Sequence, residues 1–160
     1  MSDVIAIDAD AFKERLADLC LRPRPGLPRK RRDRHVLLRS ILHLLDADGL
    51  YSEEEINVAI RDWLHTVAPR LRVDHVQLRR ALVDHGYLSR TSDGAAYMPC
   101  QPEGIRFAPE IAGLRPAAIV EAGRRRMARK RALHLRADDV AAKRGAMPDH
   151  EGEGPPGSVQ

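Results

Sequence analysis

The chain has 160 residues, of which 43% are hydrophobic and 31% are charged, with a formal net charge of +4. This composition is typical of a soluble globular protein with one compact domain and tails, and no apolar run approaches the roughly 18 residues that a membrane span needs. Cys20 and Cys100 are far apart and form no CxxC pair, which excludes a disulfide framework and a zinc motif. The acidic start, MSDVIAIDADAF, lacks the basic region of a signal peptide. We therefore expect a cytoplasmic protein with reduced cysteines and no membrane partner.

Composition and periodicity divide the chain into successive segments. Helical spacing of apolar residues is strongest in residues 27–99. Proline and glycine interrupt residues 100–115, and polar residues dominate residues 145–160. The predicted segments are an N-terminal helix and linker (1–26), the folded domain (27–99), an irregular linker (100–115), a basic helix (116–144) and a disordered tail (145–160).

Two helices open the predicted domain. RHVLLRSILHLL has apolar residues on most of its faces, so this first helix is expected at the centre of the fold. SEEEINVAIRDWLHTV keeps one apolar face over three turns. Its Ser52 and Glu55 form a capping box, in which each side chain accepts a hydrogen bond from a backbone N–H that the first turn leaves free.

A third helix and a hairpin complete the predicted domain. The helix runs from its N-cap, Asp74, to about His85 and stops at Gly86. Two short strands then surround an Asp93-Gly94 turn, and residues 50 and 51 could add a third short strand. Three helices followed by a hairpin predict a mainly α fold with a small β-hairpin (α+β): a winged helix-turn-helix core with helical N- and C-terminal extensions.

The third helix would present an outward surface suited to reading bases. On a helical wheel Arg79 and Arg80 point away from the apolar side, with Gln77 flanking them. Arginine forks read guanine edges and a glutamine amide reads adenine. In the alternative interpretation, one of the two arginines pairs with the acidic start of the second helix, Glu53 to Glu55, and braces the helices. Arg90 on the first strand of the hairpin is a candidate phosphate contact.

Basic clusters flank the predicted core on both sides. They hold the further candidate phosphate contacts Arg29, Lys30, Arg31, Arg32, Arg124, Arg125, Arg126, Arg129, Lys130 and Arg131. Neutralising phosphates with such residues releases counterions and produces affinity that depends on salt and is independent of sequence. A solvated surface or a disordered tail is the alternative role for these residues.

Signs of catalysis or cofactor binding are missing from the sequence. It contains no P-loop, dinucleotide fingerprint or nucleophile–base pair. The spacings of the seven histidines place no two of them on one helical turn as metal ligands. We therefore expect no enzyme activity, no cofactor and no metal.

Four ordered blocks carry a resemblance to a known family: LPRKRRDRHVLL, YSEEEIN, LRRALVDHGYLSR and DGAAYM. From Leu27 to Pro99 the chain resembles an uncharacterised bacterial domain-of-unknown-function family, which occurs alone or fused to arsenic-repressor-type regulators. The resemblance implies a winged-helix-like, nucleic-acid-binding module, and it transfers no catalytic or ligand residues. The family's motif is filled here by Tyr51, Glu53, Glu55, Asn57, Leu78, Arg79, Arg80, Leu82, Gly86, Arg90, Asp93, Gly94 and Tyr97.

The sequence thus predicts a winged-helix transcriptional regulator that binds double-stranded DNA. Its third helix would lie in the major groove, and its basic arms would contact phosphates. A homodimer is compatible with this function, although no heptad pattern specifies one. The alternatives are a protein–protein interaction module of the transcription machinery and an RNA-binding protein.

Overall fold

A computed structural model of the chain describes residues 3–145 and 157. In chain order the elements are β1 (Ile5–Ile7), α1 (Ala9–Leu21), α2 (Arg31–Ile41), a 3-10 helix (Leu42–Leu44), α3 (Glu53–Thr66), α4 (His75–Asp84), β2 (Leu88–Arg90), β3 (Tyr97–Pro99), β4 (Ile105–Phe107), a second 3-10 helix (Pro109–Gly113) and α5 (Pro116–Gly145). Helices with two small two-stranded sheets confirm the predicted mainly α, α+β class. The chain divides into two compact units, Met1–Arg125 and Arg126–Gln160.

The predicted capping box begins α3. The Ser52 hydroxyl accepts from the Glu55 backbone N–H at 3.1 Å, and the Glu55 carboxylate accepts from the Ser52 N–H at 2.8 Å. Ile56, Ile60 and Trp63 then share the buried face. Local sequence therefore determines where this helix starts and which side it buries.

α4 packs on α3 through the apolar side predicted for it. Asp74 caps the helix by accepting from the Gln77 N–H at 2.8 Å, and Leu78 and Leu82 are completely buried. Gly86 follows at φ +83°, a conformation that residues with a Cβ rarely adopt, and it turns the chain towards β2.

β2 and β3 form the predicted antiparallel hairpin, with Leu88 opposite Pro99 and Arg90 opposite Tyr97. In its turn the Asp93 carboxylate accepts from the Thr91 hydroxyl at 2.6 Å and from the Ala95 N–H at 3.0 Å. The hydrogen bond from Thr91 is the main cause that lowers the pKa of Asp93, and the bond from Ala95 is the second. Tyr51 forms an antiparallel bridge to the free side of Tyr97, with N–H to O distances of 2.9 and 2.7 Å.

The segments on either side of residues 27–99 also contribute to the fold. β1 pairs in parallel with β4, Ile5 opposite Ile105 and Ile7 opposite Phe107, so the stretch 100–115 contains a strand and a 3-10 helix where the sequence predicts an irregular linker. β1 and β4 are each three residues long and are not joined by a tight turn such as Asp93-Gly94, so neither an alternating pattern nor a turn indicates them in the sequence.

A single apolar core runs through the first unit. It includes Phe12 of α1, Leu38 of α2, Trp63 of α3, Leu82 of α4 and Val120 of α5, each at most 1% exposed. The core therefore draws on residues both before and after the predicted domain. Of the predicted tail, Gly145 is the last residue of α5, and apart from Gly157 the rest lies outside the described residues.

Candidate nucleic-acid interface

α4 presents a polar stripe to solvent. Gln77, Arg80 and Asp84 are exposed and follow the spacing i, i+3, i+7, opposite the buried Leu78 and Leu82. The stripe combines an amide, a guanidinium and a carboxylate, groups that can donate to and accept from base edges.

Arg79 points towards α3 instead. Its guanidinium donates to the Asn57 side-chain oxygen and lies 3.2 Å from the Glu53 carboxylate, and its side chain is only 14% exposed. Asn57 is itself buried. Arg79 therefore joins α3 to α4, the bracing contact that the alternative interpretation assigns to one of the two arginines.

Arg80 is free of such contacts. Within residues 3–145 no carboxylate lies within 4.0 Å of its guanidinium, and Glu54 of the acidic start of α3 lies 3.6 Å from Arg61. Adjacent positions on one helix point about 100° apart, so the same Arg-Arg pair supplies one bracing side chain and one exposed side chain.

Arg90 lies over the hairpin. Its guanidinium is 5.3 Å from the centre of the Tyr97 ring and donates to the Gly94 carbonyl at 3.1 Å. Arg90 is exposed, so these contacts orient a positive charge along the hairpin without removing it from water.

The first basic cluster comprises Arg29, Lys30, Arg31 and Arg32 at the start of α2, and all four side chains are exposed. Asp33, the acid within this stretch, is buried, and its carboxylate accepts hydrogen bonds from Nε and Nη2 of Arg15, at 3.0 and 2.7 Å. Arg15 therefore neutralises the carboxylate that would otherwise offset the cluster.

Arg34, which follows the first basic cluster in α2, contacts that cluster and acts on the end of α4. It donates to the carbonyls of Pro28 and Arg29 at 3.1 and 3.0 Å. The pKa of His85, the C-cap of α4, is lowered by burial first and then by the positive charge of Arg34. The ring of His35, four residues after Arg31 in α2, lies 5.8 Å from that of His85, so the basic start of α2 adjoins the C-terminal end of α4.

The second basic cluster is divided between the two units. In the first unit, Glu121 pairs with Arg124 and lies 3.5 Å from Arg125. In the second unit Arg126, Arg129, Lys130 and Arg131 are exposed. Two of the predicted phosphate contacts thus have an intrahelical carboxylate partner, at the spacings i, i+3 and i, i+4.

Two histidines that are distant in sequence lie together, His35 buried and His85 half-buried. The rings of His35 and His85 are 5.8 Å apart, and His35 Nδ1 is 2.7 Å from the Tyr87 hydroxyl. Fifty residues separate the histidines, so no local spacing could have revealed the cluster. In the part of the chain that the structure describes, no group of three His, Cys, Asp or Glu side chains could hold a metal ion.

Comparison with known proteins identifies one related family. The model of a family described as an uncharacterized protein conserved in bacteria (DUF2087) matches residues 26–98. This match confirms the resemblance to an uncharacterised bacterial family and covers α2 to β3. No curated protein and no solved structure matches the chain. Among the described residues, no helix has both the length and the apolar character needed to cross a membrane.

Proposed function

We propose that this chain is a winged-helix DNA-binding protein and a transcriptional regulator. In this proposal α4 enters the major groove, and the β2–β3 hairpin lies along the adjacent phosphate backbone. The order α2, α3, α4, hairpin supports the proposal, as does the single Tyr51–Tyr97 bridge, which places the segment before α3 beside the hairpin.

The observation that carries the proposal is the exposed stripe of Gln77, Arg80 and Asp84 on α4. Seven residues of helix span about 10 Å, which is close to three base-pair steps of about 3.4 Å. Arg80 can donate two hydrogen bonds to guanine, Gln77 can bind adenine, and Asp84 can accept from cytosine. Arg79, held by Glu53 and Asn57, would set the position of α4 on α3 and make no base contact.

Phosphate contacts would come from the cluster Arg29 to Arg32 and from Arg90. The cluster begins α2, which contacts the end of α4 through His35 and His85, and Arg90 lies on the hairpin that follows α4. Positive charge is therefore present at two places near α4. The four contacts of the cluster alone would steepen the dependence of log affinity on log salt concentration by about 3 to 4.

The first experiment is fluorescence anisotropy with a random-sequence DNA duplex across a salt series. Replacing residues 29–32 by glutamine should weaken binding and flatten the salt dependence by about 3 to 4. Arg106→Gln, which changes one exposed charge on β4, is the matched control and should differ little from wild type. A second variant, with Arg126, Arg129, Lys130 and Arg131 replaced, measures the contribution of the second unit.

A duplex site selected in vitro from random sequences then tests base reading. Arg80→Ala should weaken the free energy of binding to the selected site by about 1–3 kcal/mol. Its binding to random DNA should weaken much less. Arg79→Met should chiefly lower the stability of the protein, because it leaves Glu53 and the buried Asn57 without their partner. If Arg80→Ala and wild type bind the selected site with equal affinity, the proposal that α4 contacts the bases is contradicted.

Two outcomes would favour the alternatives. An absence of DNA binding at low salt, together with a protein partner captured independently of salt, would favour an interaction module. Structured RNA that displaces the duplex at equal charge concentration would favour RNA binding.

A further inference from the structure

A cleft of about 450 Å³ lies in the first unit. It is lined by the end of α2 and the following 3-10 helix, by the segment after β3, and by Ala112. Leu42, Leu45 and Pro99 provide apolar walls, and Arg39 is the basic side chain that faces the space. The size is that of cavities which bind small molecules.

Arg39 is partly buried without a neutralising carboxylate. Within residues 3–145 no Asp or Glu oxygen lies within salt-bridge distance of its guanidinium, which rests 5.7 Å from the centre of the Phe107 ring. Burial lowers the pKa of Arg39. The partly buried Arg15 and Arg79, in contrast, pair with Asp33 and Glu53 at 2.7 and 3.2 Å.

Among the described residues, Arg39 makes one side-chain hydrogen-bond contact, and that contact is to His43. His43 Nε2 lies 2.8 Å from the Ile111 carbonyl and must carry the proton to donate there. Its Nδ1 is then an acceptor, 3.5 Å from Arg39 Nη1. Burial is the main cause that lowers the pKa of His43, which favours the neutral ring that this arrangement requires. Most of the guanidinium fork is therefore available to a ligand.

We infer that this cleft binds a small organic monocarboxylate, with the carboxylate on Arg39 and the hydrocarbon body against Leu42, Leu45 and Pro99. A carboxylate matches the guanidinium fork with two parallel hydrogen bonds and compensates the buried charge. Asp46 lines the same cleft, and its negative charge disfavours a dianion such as inorganic phosphate. This site requires neither DNA nor the basic clusters.

The test is an amide NMR titration of the full chain with benzoate and hexanoate as probes, and with benzamide as the uncharged analogue of benzoate. Saturable shifts at Leu45, Cys100 and Gln101, with a Kd at or below about 1 mM, are expected for the carboxylates. Benzamide should bind at least about tenfold more weakly, because a charge-assisted hydrogen bond is lost. Arg39→Met should produce a similar loss, and Arg106→Met, a matched arginine on β4, should bind as wild type does.

Three results would overturn the inference: no shifts at the lining residues with either carboxylate, equal affinity for benzoate and benzamide, or tighter binding of inorganic phosphate. If Arg39→Met fails to fold, the comparison of benzoate with benzamide on the wild-type chain still decides the role of charge.

Discussion

The stability of the first unit should decrease in mild acid because of His35. This side chain is 5% exposed in α2, and its Nδ1 lies 2.7 Å from the hydroxyl of the completely buried Tyr87. Burial, followed by the positive charges of His85, Arg31 and Arg34, lowers the pKa of His35 from 6.5 to about 4. The folded protein therefore holds a neutral imidazole at a pH where the unfolded chain already binds a proton.

The shift determines both the sign and the size of the effect. Between pH 6.5 and about pH 4 the unfolded state binds more protons, so the free energy of unfolding falls as the pH falls through this window. One pKa unit corresponds to about 1.4 kcal/mol, so the full shift corresponds to about 3 kcal/mol. The stabilisation is complete above the unfolded pKa and is lost as the pH approaches the folded one.

Urea unfolding monitored by circular dichroism, at intervals between about pH 7.5 and about pH 4.5, measures this effect. Across the window the free energy of unfolding should fall by about 2 kcal/mol more in wild type than in His35→Gln, because glutamine does not titrate. His43 also has a lowered pKa and titrates in both proteins, so its contribution cancels in the comparison. His65→Gln, at an exposed position of α3, is the control and should follow wild type. Parallel curves for wild type and His35→Gln would refute the reasoning.

Three further predictions concern the helix cap, the thiols and the extent of the fold. Ser52→Ala should lower the free energy of unfolding by about 1 kcal/mol through loss of the capping box, and unchanged urea unfolding would contradict the cap's role. In the native protein a thiol reagent should modify Cys100 but spare Cys20, which is 2% exposed and whose pKa burial raises to about 12; fast labelling of both thiols before unfolding would argue against this packing. A fragment of residues 27–99 should unfold without cooperativity, because it lacks core residues such as Phe12, whereas residues 3–125 should unfold in one transition; equal cooperativity of the two fragments would show that the flanking elements are dispensable.

The sequence by itself determined the features that depend on neighbouring residues along the chain. The start of α3 at Ser52, the cap of α4 at Asp74 and the turn at Gly86 each follow from contacts within one helical turn or from the φ of one residue. The buried faces of α3 and α4 follow from the helical period. The mainly α architecture with a hairpin is therefore predictable from local patterns in the sequence.

Tertiary structure alone decided the features that depend on distant neighbours. The pairing of β1 with β4 joins residues about a hundred positions apart, so no turn marks it in the sequence as the Asp93-Gly94 turn marks the hairpin. Arg79 links α4 to α3 because it contacts Asn57 and Glu53, while Arg80 stays exposed. Both residues are arginine and both point outward on a helical wheel. Their roles differ because the packing angle of α4 on α3 places one, and not the other, beside an acidic partner.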